Sequence, residues 1–273
     1  MAAPGLMWAG SVTTLVSGLN EPNGVAVDAK GNVYFADSGN NAIKKWTATD
    51  GKVTVLVSSL SDPSGVAVDG KGNVYFADEG NNAIKEWTAA NGNVTALVSS
   101  GLSDPSGVAV DGRGNVYFAD EGNITIKEWT AADSNVVTLV ISGLNIPSGV
   151  AVDGAGNVFI ADNFNNVIKE WKSADSNVVS LVSSGLNTPT GVAVDRAGNI
   201  YIADFNNSAI KKWTADSGTV TTLVSTGLSF PNDVAVDDAG NLYIADTKNN
   251  AIKKWTADGG NATTQLPQQS DGK

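Results

Sequence analysis

Short apolar runs alternate with polar, glycine-bearing interruptions along the chain, and the alternation repeats. In its first complete cycle the runs are Gly24 to Asp28, Asn32 to Ala36, Ala42 to Trp46 and Lys52 to Val57. They are rich in Val, Ile, Tyr, Phe, Trp and Thr. Gly, Asn, Asp or Pro breaks them about every 8 to 12 residues, which predicts four short strands, here a to d, of an all-β fold. No stretch keeps apolar side chains three and four apart over a dozen residues, so a helical array of similar period is excluded. Strands a and b are apolar at consecutive positions (Val25-Ala26-Val27, Val33-Tyr34-Phe35-Ala36), the pattern of a sheet covered on both faces.

The cycle has a fixed length. Val-Ala-Val-Asp begins at Val25, Val66, Val108, Val150, Val192 and Val234, in steps of 41, 42, 42, 42 and 42 residues. Six copies of one unit, each needing a neighbour on both faces, predict a six-bladed β-propeller of four-stranded antiparallel blades. In Asp28-Ala29-Lys30-Gly31-Asn32 the Gly can take positive φ and the Asp can accept from backbone amides, folding strand a back onto b. A second repeated acid (Asp37, Asp78, Asp120, Asp162, Asp204, Asp246) ends strand b ahead of an Asn-rich loop. It is read as structural, organising the free amides of that turn. Six Trp (Trp46, Trp87, Trp129, Trp171, Trp213, Trp255) end strand c and are read as wedges between blades. The strand d motif Val-Thr-Thr-Leu-Val stands at Val12 to Val16, ahead of the first strand a, whereas its copy after Trp255 decays to Asn261-Ala262-Thr263-Thr264-Gln265-Leu266. Ser11 to Val16 is therefore expected to supply the outer strand of the last blade, removing both open ends of the ring. The resulting division is an N-terminal extension (1–10), one propeller (11–266) and a polar, disordered tail (267–273).

Pro-x-Gly-Val-Ala-Val-Asp, then Gly-Asn-Val-Tyr-Phe-Ala-Asp, then Asn-Asn-Ala-Ile-Lys, resembles the NHL repeat, and the resemblance runs from Ser11 to Trp255. It implies a six-bladed propeller that usually serves as a binding platform, with some relatives that are lyases or hydrolases. Streptogramin lyases and peptide-amidating lyases of this kind rely on His. The chain has none.

Without His the ordinary general base near neutral pH is missing, as are imidazole-based zinc and copper sites. Cys is absent too, which excludes disulfides and thiolate chemistry without fixing a compartment. The formal charge of −11 opposes phosphate backbones, so no nucleic-acid partner is expected. The strand c lysines (Lys44, Lys45, Lys211, Lys212, Lys253, Lys254) are expected on a solvated rim. No apolar stretch reaches membrane-spanning length, and Met1 to Gly10 lacks the features of a secretion signal. A soluble monomer without a membrane partner is expected, either cytoplasmic or secreted with its signal removed.

Function is sought where the copies differ. In propellers the d-to-a and b-to-c loops share the top face, where binding residues collect on a rigid scaffold. The residues before the repeated Pro (Glu21, Asp62, Asp104, Ile146, Thr188, Phe230) and the b-to-c pairs (Ser38-Gly39, Glu79-Gly80, Glu121-Gly122, Asn163-Phe164, Phe205-Asn206, Thr247-Lys248) divide it. One side is acidic. The other carries Phe164, Phe205 and Phe230 with Asn163 and Asn206, a candidate seat for a glycan, a peptide side chain or another small molecule. Round the axial mouth the residues after the Pro are small and polar: Asn23, Ser64, Ser106, Ser148, Thr190 and Asn232. The sixth copy breaks the following Gly with Asp233, and Asn23, Asn232 and Asp233 resemble the hard oxygen ligands with which gluconolactonase-like propellers hold calcium. The leading expectation is a non-catalytic recognition or scaffold propeller without a cofactor. The alternative is a calcium-dependent lactonase-like hydrolase at the axial mouth.

Overall fold

The computed structural model describes residues 10–257. Twenty-four strands form six four-stranded antiparallel sheets. In the first blade, strands a to d are Pro22–Val27, Val33–Asp37, Ala42–Trp46 and Val53–Val57. The last blade has its strands a to c at Pro231–Val236, Leu242–Asp246 and Ala251–Ala257, and its strand d is Gly10–Val16 from the other end of the chain. That strand pairs with Ala251–Ala257, Ser11 opposite Thr256 and Val12 opposite Trp255. The predicted clasp is therefore present and begins one residue earlier, at Gly10. The decayed motif at 261–266, the tail at 267–273 and residues 1–9 of the extension lie outside the described residues. Among the described residues no helix is long and apolar enough to cross a membrane.

The apolar pattern of strands a and b accounts for the packing. Val33, Tyr34, Phe35 and Ala36 are all buried, because side chains on opposite faces of one blade meet different neighbours. Six clusters fill the interblade layers. One joins Ala26, Tyr34, Ile43 and Val57 of the first blade to Val66, Val74 and Phe76 of the second, with Trp87 packed against it. The seam has the same construction, with Val16, Tyr243 and Ile252 against Val25, Val33, Phe35 and Trp46. Each repeated Trp thus wedges into the layer before its own blade. Burying one such Phe or Ile completely contributes about 2 kcal/mol, so the ring is held mainly by these layers.

The a-to-b turn behaves as its sequence predicts. Asp28 Oδ1 accepts from the Lys30 and Asn32 amides at 2.9 Å each, its Oδ2 accepts from Tyr34 at 3.1 Å, and Gly31 has φ +78°. The second acid acts differently from expectation. Asp37 makes no side-chain bond to the backbone amides of its own turn. It accepts instead from the backbone amide of Asn20 in the d-to-a loop at 2.7 Å and from Asn40 Nδ2 at 2.8 Å, and it pairs with Lys44. All six equivalents have the same arrangement and zero exposure. This corrects the solvated-rim reading of strand c. Lys44, Lys211 and Lys253 are committed to buried carboxylates, while Lys45, Lys212 and Lys254 lie 5.2, 5.3 and 5.2 Å over the rings of Tyr34, Tyr201 and Tyr243.

Candidate functional site

The top face is a repeated backbone frame with variable side chains. Each residue before the Pro is left-handed, from Glu21 at φ 48° to Thr188 at φ 54°, a conformation that costs a non-glycine residue about 1 kcal/mol. External bonds to the preceding blade hold five of the six there. The Asp62 amide donates to Asn41 Oδ1 of the preceding blade at 2.9 Å, and the amides of Glu21, Asp104 and Thr188 donate in the same way to Asn250, Asn82 and Asn166. Because the tethers are backbone amides and the buried Asp ring, the frame does not depend on which side chain stands before each Pro.

The frame surrounds an axial cavity of about 430 Å³ walled by strand a of every blade. All six predicted mouth residues, Asn23, Ser64, Ser106, Ser148, Thr190 and Asn232, line it. Four of them are already engaged. The hydroxyl of Ser106 donates to Ser148 O at 3.1 Å, that of Ser148 to Thr190 O at 2.9 Å and that of Thr190 to Asn232 O at 2.6 Å, while Ser64 Oγ lies 3.4 Å from Pro105 O and Ser106 O. These bonds stitch the second to the sixth blade in sequence.

At the seam the pattern changes. Asp233 accepts from the Val25 amide of the first blade and from the Val234 amide, both at 2.9 Å. The residue keeps some accessible surface in the channel, and burial pushes its pKa up to about 7 against the lowering effect of the two amides. A calcium site needs about six to eight oxygens, commonly several carboxylates. Here one carboxylate, with each oxygen already bonded to an amide, stands with two neutral carboxamides, Asn23 and Asn232. Among the described residues no three His, Cys, Asp or Glu converge on a common point. This donor set falls short of a calcium centre.

A further ring, one residue into each b-to-c turn, consists of Ser38, Glu79, Glu121, Asn163, Phe205 and Thr247. Ser38 and Thr247 donate to Pro63 O and Pro22 O of the next blade at 2.5 and 2.7 Å. Glu79, Glu121 and Asn163 line the cavity instead. Burial, then the charge of Asp62, raises the Glu79 pKa to about 7, with Glu121 and Asp104 adding to it and the Ser64 hydroxyl opposing. Glu121 is likewise raised, by burial first and by Asp104, against the Ser106 hydroxyl. Asn163 is buried and its Oδ1 has no hydrogen-bond partner. Phe205 packs on Phe230 with ring centroids 5.1 Å apart and tilted by 55°.

Three stretches of the chain, residues 19–46, 186–213 and 228–255, match the NHL repeat. The chain is an NHL-repeat six-bladed β-propeller. No curated protein matches it in sequence. Among solved structures, a gluconolactonase from Xanthomonas campestris superposes with a TM-score of 0.79 at 19% identity, over 91% of this chain and 90% of its own. A streptogramin B lyase gives 0.69 at 15% identity over 92% and 99%, and a chain of a nidogen/laminin complex gives 0.67 at 21% over 74% and 79%. At these identities the likeness is one of fold.

Within this NHL propeller the predicted aromatic trio is divided. Phe205 and Phe230 meet, but Phe164 is 60% exposed on the following turn position, where Gly39, Gly80 and Gly122 stand in other blades. Asn206, on the same outer position, donates to Thr188 Oγ1 at 2.5 Å. The acidic side is divided as well. Glu21 is paired with Lys248 at 2.5 Å on the surface, whereas Glu79 and Glu121 face inward. The sequence named all six turn pairs but did not separate their first positions, which form this ring, from their second. The ring's signal was the variability of the one position directly after an otherwise repeated Asp.

Proposed function

We propose that this NHL propeller is a non-catalytic recognition module that binds a small molecule, glycan or peptide through its top face at the mouth of the axial cavity. The observation that carries this reading is the turn ring: on one tethered frame Glu79, Glu121, Asn163 and Phe205 replace the hydroxyls with which Ser38 and Thr247 bond the next blade. Uniform blades need no such variety for folding. The chemistry of the wall agrees with this reading, because the hydroxyls of Ser106, Ser148 and Thr190 donate to interblade carbonyls, although Glu79 and Glu121 reach the Ser64 and Ser106 hydroxyls. Glycan and peptide arrays probed with the wild type and with Phe205→Ala test it. Loss of signal in the variant is expected. Array signals identical for the two proteins would discard the mouth as the site.

Asp233 and Glu79 favour a hydrolase, since a cavity carboxyl with a pKa near 7 matches what a general acid or base requires. A calcium titration of the melting temperature, with lactone turnover in parallel, decides between the readings. The recognition reading expects no calcium shift and no turnover. A calcium shift lost in Asp233→Ala would favour the hydrolase.

A further inference from the structure

Glu79 and Glu121 occupy the same turn position on successive blades and line one cavity. Among the described residues neither forms an ion pair. Asp62 and Asp104 add negative charge around them. On the next blade Asn163, only 6% exposed, holds the equivalent position against the same cavity with its Oδ1 unpartnered. Protein structures rarely tolerate a buried acceptor without a donor, and an uncompensated pair of partly buried carboxylates is costlier still. All three groups lack the same thing, a positively charged hydrogen-bond donor.

We propose that this arc binds an organic cation, an ammonium or guanidinium group whose N–H donors are shared between Glu79 and Glu121, with a side-chain turn of Asn163 bringing its covered, unpartnered Oδ1 to the ligand as a third acceptor. The inference rests on the mouth being the recognition site. A metal ion is the poorer fit, since two carboxylates and one carboxamide are too few ligands for a hard divalent cation, whereas a guanidinium offers five donors in a planar fork. The cavity, at about 430 Å³, is far larger than such a head group. The ligand therefore has a body, and the Phe205–Phe230 pair on the adjoining blades offers that body an apolar edge.

The test uses the full chain at about pH 8, where Glu79 is ionised. Butylguanidinium, a blocked Gly-Arg-Gly tripeptide and the neutral isostere butylurea are titrated by calorimetry against the wild type and the Glu79→Gln/Glu121→Gln and Asn163→Leu variants. Thermal melts verify folding of each. The expected result is binding of one or both guanidinium probes, with the double variant weaker by about tenfold or more and Asn163→Leu also weaker. Tighter binding of the tripeptide marks a peptide as the source, and equal binding marks a free small molecule. Equal affinity for butylurea, no guanidinium binding, or unchanged affinity in a folded double variant overturns the cation assignment. If cations fail while array ligands still depend on Phe205, only this inference falls; if both fail, the mouth reading falls with it.

Discussion

Asp233 allows the seam of the ring to be tested by pH. Five blades carry Gly at this position, and in blade five a Cβ added at Gly191 would meet Asp233 Oδ1 at 2.4 Å, so the carboxyl fills space that only Gly on the neighbouring blade leaves open. Burial raises its pKa from 3.8 to about 7. The folded protein therefore holds this proton more tightly than the unfolded chain does. The associated stability is complete below the ordinary carboxylate value and is lost as pH rises through about 7. Three units at 1.36 kcal/mol each give about 4 kcal/mol in total, of which about 3 kcal/mol falls between pH 5 and pH 8. Asp233→Asn removes the titration while keeping the shape, at the expense of one accepted amide bond worth about 1 kcal/mol. Urea unfolding followed by Trp fluorescence across that range measures both proteins. The wild type should lose about 3 kcal/mol more than the variant from the lower to the higher pH. Parallel profiles would refute the assignment of a buried, protonated seam carboxyl.

Deleting residues 1 to 17 removes the outer strand of the last blade and uncovers the layer into which Val16 packs; the loss should be on the order of 5 kcal/mol, read as a large drop in melting temperature. Asp120→Ala strands Lys127 and frees the Ser103 amide and Asn123, and denaturant unfolding should register about 3 kcal/mol of destabilisation. Binding of butylguanidinium should weaken as pH falls through about 7, as Glu79 protonates among Asp62, Glu121, Asp104 and the Ser64 hydroxyl; calorimetry at pH 8 and pH 6 reads it, and a flat profile would show that Glu79 takes no part.

The ring and its closure were legible because both depend on order along the chain: the spacing of Val-Ala-Val-Asp and a strand d motif displaced to the N-terminus suffice. The buried ion pairs were legible in principle. Asp37 is registered opposite Ala42, so Lys44, two residues on, shares its side of the sheet; reading lysine as a solvent residue by default concealed that pairing. The hydroxyl stitching was not legible, since Ser148 finds its acceptor on the following blade and the approach of two blades is set by packing rather than by spacing. The geometry of the aromatic patch was legible only in part, because of an offset of one residue. Phe205 stands one position into its turn and reaches Phe230, whereas Phe164 stands two positions into its own and points to solvent.

The central claim is that a constant frame presents a variable ring of side chains to a ligand. Its most direct test is the quadruple variant in which Glu79, Glu121, Asn163 and Phe205 are each replaced by Ser, the residue that the first blade carries as Ser38, with butylguanidinium affinity and melting temperature measured together. The account predicts a folded propeller with a nearly unchanged melting temperature and no measurable binding. Wild-type affinity in that folded variant would contradict it.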